Sequence, residues 1–351
     1  MKNNAIFRCD GAAHIGLGHV MRCLALADGL RRNGYSNITF VSKDYDNKVL
    51  AKIRSHDFKV DEIPRHADLR EDLGRVMGLV RDNNGAIVIT DSYEIDFHYL
   101  RELKNRNVFL ICIDDLARIH FPSDVVLNQN LYALEENYSV EPYTKLLLGP
   151  QYALLRREFS ERCVALPSVR EKVKSILVTM GGSDLYRQTS KVVSALSGIN
   201  SLIRDKVMVQ VVVGIGHNHS QLSFFDGGEN CQLKVVTGPD NLLQLMTEAD
   251  LAICAGGSTC YELACLGIPA ITMSLADNQR KIAERLSKEE VSVYLGYYQE
   301  VSAEDITHAV ELLMENYEKR RKMSAQGRNL VDGQGVGRVV KEITQLLCSY
   351  Q

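Results

Sequence analysis

The sequence lacks the features that mark membrane, secreted and nucleic-acid-binding proteins. No apolar run reaches the roughly 18 residues that a membrane-spanning helix requires, and the first stretch, MKNNAIFRCD, lacks the long apolar core of a signal peptide. The formal net charge is only −3 at pH 7, so no basic excess favours nucleic acid or an anionic membrane. These absences predict a globular protein whose partner is neither nucleic acid nor a membrane.

The cysteines lack the pattern of a disulfide framework. The chain has nine of them, an odd number, and their scattered spacing includes no CxxC pair. Cys112 and Cys254 lie inside apolar runs, as small buried side chains do. The pattern favours a reduced, cytoplasmic setting over a disulfide scaffold.

Short apolar runs alternate with amphipathic helical patterns through both halves of the chain. Segments such as 18–34 and 68–85 place apolar residues at helical spacing. YELACLGIP, at 261–269, is predicted to end a helix, with Gly267 as its cap and Pro269 just past it. Alternation of this kind predicts right-handed βαβ crossovers and parallel, doubly wound sheets, which is the α/β class. The predicted strands are residues 6–9, 38–42, 58–63, 86–91, 108–113, 174–180, 207–214, 233–238, 250–257 and 268–274.

The length and the repeated plan predict two domains. A chain of 351 residues exceeds what a single hydrophobic core usually supports. We predict a Rossmann-like domain over residues 1–160 and another over residues 172–330. A last helical segment, 331–351, is a candidate to pack back on the N-terminal domain. Two such domains are expected to face each other across a cleft, because open α/β folds bind ligands at the carboxyl ends of their strands.

Three glycine-containing turns follow predicted strands: HIGLGH at 14–19, MGGSD at 180–184 and AGGSTCYE at 255–262. Glycine lets backbone amides approach a phosphate, and a helix N-terminus adds about half a positive charge. None of the three completes a Walker or Rossmann pattern, and each alone fits a purely structural turn; together they favour a nucleotide ligand. The glycines assigned to substrate binding are Gly16, Gly18, Gly181, Gly182 and Gly257.

AGGST is the best anion site of the three turns. It combines successive backbone amides with the hydroxyls of Ser258 and Thr259 at the start of a helix. Glu262 lies one turn further on, where a carboxylate can accept hydrogen bonds from ribose hydroxyls, as the acidic residue of dinucleotide folds does.

His19 is the candidate general base. It falls in the first turn of a predicted helix, where the positive end of the helix dipole disfavours an imidazolium and keeps the ring neutral near pH 7. A neutral imidazole is what a base requires before it takes a proton. Asp10, at the end of the first strand, is the candidate to orient the ring through its other nitrogen. His14 has no such placement and reads as a loop residue.

Other catalytic chemistries find little support in the sequence. HIGLGH places its histidines five residues apart with no third ligand nearby. This spacing does not favour a metal site, and none is assigned. The adjacent residues Asp114 and Asp115 fit a polar turn better than a cation site. No serine or cysteine stands in a nucleophile elbow such as GxSxG.

The sequence resembles a known family at several separated stretches. They are RCDGAAHIGLGHVMRCLALA, ITDSY, IDDLAR, LNQN, LLGPQYALLRREF, VTMGGSD, AGGSTCYELACLGIPAI and DNQ. The family is the UDP-2,4-diacetamido-2,4,6-trideoxy-β-L-altropyranose hydrolases of the pseudaminic acid pathway, which are related to the peptidoglycan GlcNAc transferase. The first stretch is the most specific, whereas AGGSTCYELACLGIP is shared more broadly with transferases of the two-domain GT-B fold.

The resemblance implies a fold, a substrate and residue roles. It implies a GT-B fold with UDP bound by the C-terminal domain, the diphosphate by Ser258 and Thr259 and the ribose by Glu262. It also implies that His19 activates a water for attack on the anomeric carbon, with inversion and departure of UDP. The implied partner is a small-molecule UDP-sugar, and no cofactor or metal is required. Two weaker assignments, Tyr93 of ITDSY and Asn278 of DNQ, lie near the sugar.

Two alternatives remain open at this point. A GT-B glycosyltransferase would use the same fold and UDP loops to move a sugar to an acceptor. A non-catalytic protein that binds sugar nucleotides, for instance in surface polysaccharide assembly, would also keep those loops. The HIGLGH stretch weakly disfavours the second alternative, because it carries the candidate base.

Overall fold

The chain forms two compact units. The structure is a computed structural model that describes residues 4–11, 18–43, 47–83, 85–163, 169–181, 184, 186–199, 206–214, 232–238 and 242–349. Unit 1 comprises Met1–Arg157 together with Gln334–Gln351, and unit 2 comprises Glu158–Gly333. No helix in the described ranges is long and apolar enough to cross a bilayer.

Strands and helices alternate along both units. The strands are β1 (Asn4–Cys9), β2 (Asn37–Ser42), β3 (Lys59–Glu62), β4 (Ile87–Asp91), β5 (Phe109–Ile113), β6 (His120–Phe121), β7 (Val125–Asn128), β8 (Ser139–Val140), β9 (Lys145–Leu148), β10 (Ser175–Thr179), β11 (Met208–Val213), β12 (Gln232–Thr237), β13 (Leu251–Ala255), β14 (Ala270–Ser274) and β15 (Ser292–Tyr297). The helices are α1 (Gly18–Arg32), α2 (Asn47–Ser55), α3 (Leu69–Asp82), α4 (Phe97–Lys104), α5 (Arg157–Arg162), α6 (Gln188–Ser197), α7 (Leu242–Glu248), α8 (Thr259–Leu266), α9 (Asp277–Lys288), α10 (Ala303–Glu315), α11 (Tyr317–Leu330) and α12 (Gly335–Ser349).

Unit 1 is built on a parallel sheet with the strand order β3-β2-β1-β4-β5-β7-β9. The order reverses direction between β1 and β4, and in doubly wound folds this switch point is where ligands bind, beyond the carboxyl ends of the strands. The last helix, α12, packs against α1 in the same core through Val336, Val340 and Ile343.

The two faces of the unit 1 sheet carry separate cores. Side chains alternate between faces along a strand. In β1, β4 and β5 the odd-numbered positions, such as Phe7 and Ile89, join the core that includes α1 and α12. Even-numbered positions such as Ile6 and Val88 join the core under α3 and α4. This alternation decides which strand-end side chains face α1.

Unit 2 repeats the architecture with the strand order β12-β11-β10-β13-β14-β15, again wholly parallel. This is the order of a six-stranded Rossmann sheet, and its switch point lies between β10 and β13. Helix α8 ends at Gly267, whose φ of +67° is the left-handed helix cap that the sequence predicts there. The strands predicted from apolar runs are all present in the structure. The prediction missed the helices α4, α5, α6 and α9 and the strands β6, β7, β8, β9 and β15, most of which are short or half-exposed and therefore carry a weak pattern.

The cysteines depart from the expectation of reduced thiols at one pair. Cys163 and Cys265 form a disulfide across a sequence separation of 102 residues. The other cysteines of the described ranges are free thiols, and all of them except Cys348 are buried. The sequence holds no signal for this pair, because only the folded chain brings such distant residues together.

Removal of this disulfide is expected to destabilise unit 2. In a chain-entropy model, cutting a cross-link that closes a loop of about 100 residues lowers the free energy of unfolding by roughly 5 kcal/mol. Cys163→Ser should therefore lower the urea midpoint, and a reducing agent should lower the wild-type midpoint to the same value. Cys348→Ser, which removes an exposed thiol, is the control that should unfold as the wild type does. An equal midpoint with and without reductant contradicts the prediction.

Candidate active site

His19 lies at the switch point of unit 1. Helix α1 begins at Gly18, so His19 is its second residue and sits just beyond the carboxyl end of the sheet. The residue is only 6% exposed. Gly16, the other glycine predicted to serve this turn, lies outside the described residues.

A carboxylate fixes the orientation of the His19 ring. The Nδ1 atom of His19 lies 2.5 Å from Oδ1 of Asp91, the last residue of β4. A carboxylate oxygen can only accept, so Nδ1 carries the proton of this hydrogen bond. In the neutral ring Nε2 is then the proton acceptor, and no hydrogen bond to Nε2 is present in the described part of the chain. The pair has the arrangement of a base held by an orienting carboxylate.

Asp10 does not take the place that the sequence analysis assigns to it. Its Oδ1 accepts from Arg8 at 2.7 Å and from the amide of Lys43 at 3.0 Å, and its Oδ2 accepts from Ser92. The reason is the alternation along the strand. Asp10 is two residues from Arg8 and so faces the same side of the sheet. Arg8 points to the α3 side, where it pairs with Asp72. The orienting carboxylate on the α1 side is Asp91.

Tyr93 lies against the other side of the His19 ring. The two rings meet edge to face with their centroids 4.7 Å apart. The Tyr93 hydroxyl donates to Oδ2 of Asp115 at 3.0 Å. With 44% of its surface exposed, Tyr93 can contact a ligand, as predicted for a residue near the sugar. The structure therefore brings His19 and Tyr93 together from separate parts of the sequence.

The two aspartates beside His19 and Tyr93 are buried and charged. Burial by itself raises the pKa of the Asp91 carboxyl, but the positive charge of Arg22 and the hydrogen bonds from Arg22 and His19 outweigh it, and the pKa lies well below its ordinary range. Burial also raises the pKa of Asp115, and Arg22 again more than offsets it. Both carboxylates are therefore ionised at neutral pH, which a residue that stabilises an imidazolium requires.

Three residues of this site were missed by the sequence analysis, namely Asp91, Arg22 and Asp115. A signal for the first was present, because Asp91 continues the alternation of Ile87 and Ile89, which face the α1 core. Asp115 extends the same face beyond the end of β5. Arg22 follows His19 by three residues on α1, and residues at this spacing share one face of a helix.

In unit 2 the AGGST turn connects β13 to α8 at the switch point. Ser258 precedes the first helical residue, Thr259, and its side chain makes no capping hydrogen bond. The amides of Gly257, Cys260 and Tyr261 donate to the carbonyl oxygens of Ala255, Gly257 and Ser258. The amides of Ser258 and Thr259, at the N-terminus of the helix, are therefore the candidate donors to an anion. Gly257, Ser258, Thr259 and Glu262 are all partly exposed, so the turn is open to a ligand.

The other predicted loops of unit 2 reach the same edge of the sheet. Gly181 follows β10, the neighbour of β13, and is exposed. Asn278 is the second residue of α9, which follows β14 on the other side of β13, and it is exposed as well. Gly182 lies outside the described residues. Since the strands are parallel, their carboxyl ends meet at one edge, and the three loops form one face.

The two glycines of the AGGST turn have different packing. A Cβ on Gly256 would stand 3.0 Å from the Cβ of Ala283 and 3.1 Å from the carbonyl oxygen of Gln279, both in α9. A Cβ on Gly257 would meet nothing closer than 3.8 Å, an ordinary contact. Packing therefore explains glycine at position 256, whereas position 257 has room for a methyl group within the protein.

Comparison with known proteins defines the class. Residues 175–334 match the glycosyltransferase family 28 C-terminal domain. The crystal structure of MurG from Acinetobacter baumannii superposes with a TM-score of 0.71 at 15% identity and covers 97% of this chain and 99% of that one. Together with the two doubly wound sheets, these matches confirm the predicted GT-B fold.

Relatives in sequence extend over most of the chain. The spore coat polysaccharide biosynthesis protein SpsG of Bacillus subtilis (strain 168) is 25% identical over 340 residues, which cover 96% of each protein. A protein of Campylobacter jejuni (strain ATCC 700819 / NCTC 11168) is 25% identical over 297 residues, which cover 83% of this chain and 99% of that protein. It is named UDP-2,4-diacetamido-2,4,6-trideoxy-beta-L-altropyranose hydrolase. The resemblance predicted from the sequence is thereby confirmed.

Proposed function

We propose that the protein hydrolyses a UDP-linked diacetamido-trideoxyhexose to the free sugar and UDP. The observation that carries the proposal is the buried His19–Asp91 pair at the switch point of unit 1. Such a pair supplies a base but no nucleophile of its own, which is what the activation of a water molecule requires. The hydrolase name of the Campylobacter relative supports the choice of substrate.

In the proposed reaction His19 takes a proton from water through Nε2. The oxygen of this water forms a bond to the anomeric carbon while the bond from that carbon to the UDP oxygen breaks, and the configuration inverts. Asp91, ionised and hydrogen-bonded to Nδ1, stabilises the imidazolium that forms. The proton then passes from His19 to solvent. Tyr93, Gly16 and Gly18 are proposed to contact the sugar side of the substrate.

UDP recognition is assigned to unit 2. The amides and hydroxyls of Ser258 and Thr259 are proposed to hold the diphosphate, Gly257 to leave room for it beside them, and Glu262 to hold the ribose. A diphosphate bound in this way leaves as a stabilised anion. The mechanism therefore does not need the acid with which glycosidases protonate their leaving group. The remaining proposed contacts are Gly181 and Gly182 toward the phosphates and Asn278 toward the sugar.

The test follows product release without an acceptor. The protein is incubated with the UDP-diacetamido-trideoxy sugar in oxygen-18 water, and UDP and free sugar are measured. We expect both products, with the label in the sugar, because attack at carbon breaks the bond between that carbon and the UDP oxygen. Label in UDP would mean attack at phosphorus and would contradict the mechanism. Binding without release would contradict the proposed activity and favour a non-catalytic sugar-nucleotide-binding protein.

A glycosyltransferase is the second candidate, favoured by one specific observation. The family 28 C-terminal domain match covers the whole UDP-binding half of the fold. In a transferase the base would deprotonate an acceptor hydroxyl instead of water. Release of UDP only when an acceptor is added would favour this reaction over hydrolysis.

Replacement of Gly257 by alanine is expected to weaken UDP binding without loss of folding. The added Cβ has room within the protein. The expected effect is therefore on the diphosphate, which the methyl group would displace from the amides of Ser258 and Thr259. Loss of one hydrogen bond to a charged group corresponds to about 10- to 100-fold in affinity. Calorimetric titration with UDP measures the change. The matched variant Gly256→Ala should instead lower the melting temperature, because its Cβ meets α9. Unchanged UDP affinity in Gly257→Ala would contradict the assignment.

A further inference from the structure

The guanidinium of Arg22 joins two buried carboxylates that come from different strands. Its Nε and Nη2 donate to the two oxygens of Asp91 at 2.7 and 2.6 Å. Its Nη1 donates to both oxygens of Asp115 at 2.8 and 3.0 Å. The side chains of Arg22, Asp91 and Asp115 are exposed by only 8%, 1% and 10%. All the contacts lie on the α1 side of the sheet, beyond the ends of β4 and β5.

Each of these carboxylates also holds one of the two rings of the site. Asp91 accepts from Nδ1 of His19 at 2.5 Å, and Asp115 accepts from the hydroxyl of Tyr93 at 3.0 Å. The rings themselves touch edge to face. One guanidinium thus lies at the centre of two arms, of which one ends at the proposed base and the other at the proposed sugar-contacting tyrosine.

The positive charge of Arg22 keeps the carboxylates of both Asp91 and Asp115 ionised. Two carboxylates in a buried site repel each other, and burial favours their neutral forms. Asp115 accepts further from Nδ2 of Asn130 at 2.9 Å, so its two oxygens are fully used as acceptors. A lysine in place of Arg22 has a single nitrogen and cannot make both bidentate contacts at once.

We propose that Arg22 is a positioning residue that sets His19 and Tyr93 in one arrangement. It acts on His19 through Asp91 and through the approach of its own Nη2 to Nδ1 at 3.2 Å, and on Tyr93 through Asp115. The inference rests on the proposed function of the same site and deepens it. It assigns to Asp115, which does not touch His19 in the hydrogen bonds described, an effect on the rate that is transmitted through the guanidinium.

Arg22→Lys is the test, with Arg8→Lys as its matched control. Arg8 is equally buried and also joins two aspartates, Asp10 and Asp72, on the opposite face of the same sheet. Both variants lose bidentate contacts and are expected to lose stability. A displacement of about 1 Å costs roughly 100-fold in rate, so Arg22→Lys should lower kcat by about that factor while KM changes little. Arg8→Lys should keep the wild-type kcat at a temperature where it is folded.

A second measurement does not depend on activity. Nitrogen-15 NMR of histidine-labelled protein reports which ring nitrogen carries the proton. We expect the Nδ1–H form of His19 in the wild type and in Arg8→Lys, and a mixture of forms in Arg22→Lys. Asp115→Asn should lower kcat in the wild type and have no further effect in Arg22→Lys, because coupled residues are not additive.

The outcomes separate this inference from the proposed function. If the wild type releases no UDP, the proposed function fails, and the NMR comparison still judges Arg22. A wild-type kcat in folded Arg22→Lys overturns the inference. So does an equal loss of kcat in the Arg22 and Arg8 variants, which would make Arg22 a purely structural ion pair, or an unchanged His19 tautomer.

Discussion

Replacement of His19 by asparagine is expected to lower kcat for UDP release by about 10²- to 10⁴-fold, the usual contribution of a positioned base. Asparagine is close in size to imidazole and can keep a hydrogen bond to Asp91, but it takes no proton from water. The fold and the affinity for UDP should remain as in the wild type, because UDP recognition is assigned to unit 2. Initial rates of UDP release, with circular dichroism as a check of folding, measure the effect.

The same substitution at an exposed histidine is the control. His98 lies on the solvent side of α4, so His98→Asn should leave kcat at the wild-type value. A His19→Asn variant that retains the wild-type rate would remove His19 from the reaction. The proposed hydrolysis would then need a different base.

Asp91→Asn is expected to lower kcat by about 10²- to 10⁴-fold, as the loss of an orienting carboxylate does in catalytic triads. The amide carries no charge to stabilise the imidazolium, and it allows the ring to rest in the wrong tautomer. The change also leaves Arg22 short of a partner in a buried site, at a cost of about 3–5 kcal/mol in unfolding free energy. Rates are therefore measured at a temperature where thermal unfolding curves show the variant to be folded.

Asp10→Asn tests which carboxylate orients His19, Asp91 as the structure indicates or Asp10 as the sequence predicts. Both carboxylates are buried, both end a strand at the switch point and both pair with an arginine, Arg8 for Asp10 and Arg22 for Asp91. The structure predicts a loss of stability in Asp10→Asn but a much smaller loss of kcat than in Asp91→Asn. The reverse order of the two kcat values would restore Asp10 as the residue that orients His19.

Both candidate sites occupy the same place in their sheets. His19 follows β1 and Asp91 ends β4, the two strands at the switch point of unit 1. Gly181 follows β10 and Ser258 follows β13, the corresponding strands of unit 2. At such a point the connections leave toward opposite faces, so the strand ends are not covered by a crossing chain. In the proposed function the two units would therefore use one feature of the fold for two tasks, proton transfer and anion recognition.

Much of the fold followed from local pattern. The alternation of apolar runs with helical spacing predicted the parallel sheets of both units, and the turn chemistry predicted Gly267 as the end of α8. These features depend on residues close together in the chain, which is why periodicity finds them. The placement of His19 at the start of α1 is of the same kind, because a glycine turn and a helix pattern flank it in the sequence.

Contacts between distant residues were decided by the tertiary structure. Asp91 lies 72 residues from His19, Asp115 lies 93 from Arg22, and the two cysteines of the disulfide are 102 apart. The sequence offered Asp10 as the nearest carboxylate to His19, but nearness along a strand says nothing about the face of the sheet. Because side chains alternate between the two faces of the sheet, Asp91 and Asp115 face α1 and Asp10 faces away from it. The order of β1, β4 and β5 then brings the two carboxylates together. The sequence by itself determined most of the elements and the candidate base; the packing of strands that are remote in sequence decided which groups contact that residue.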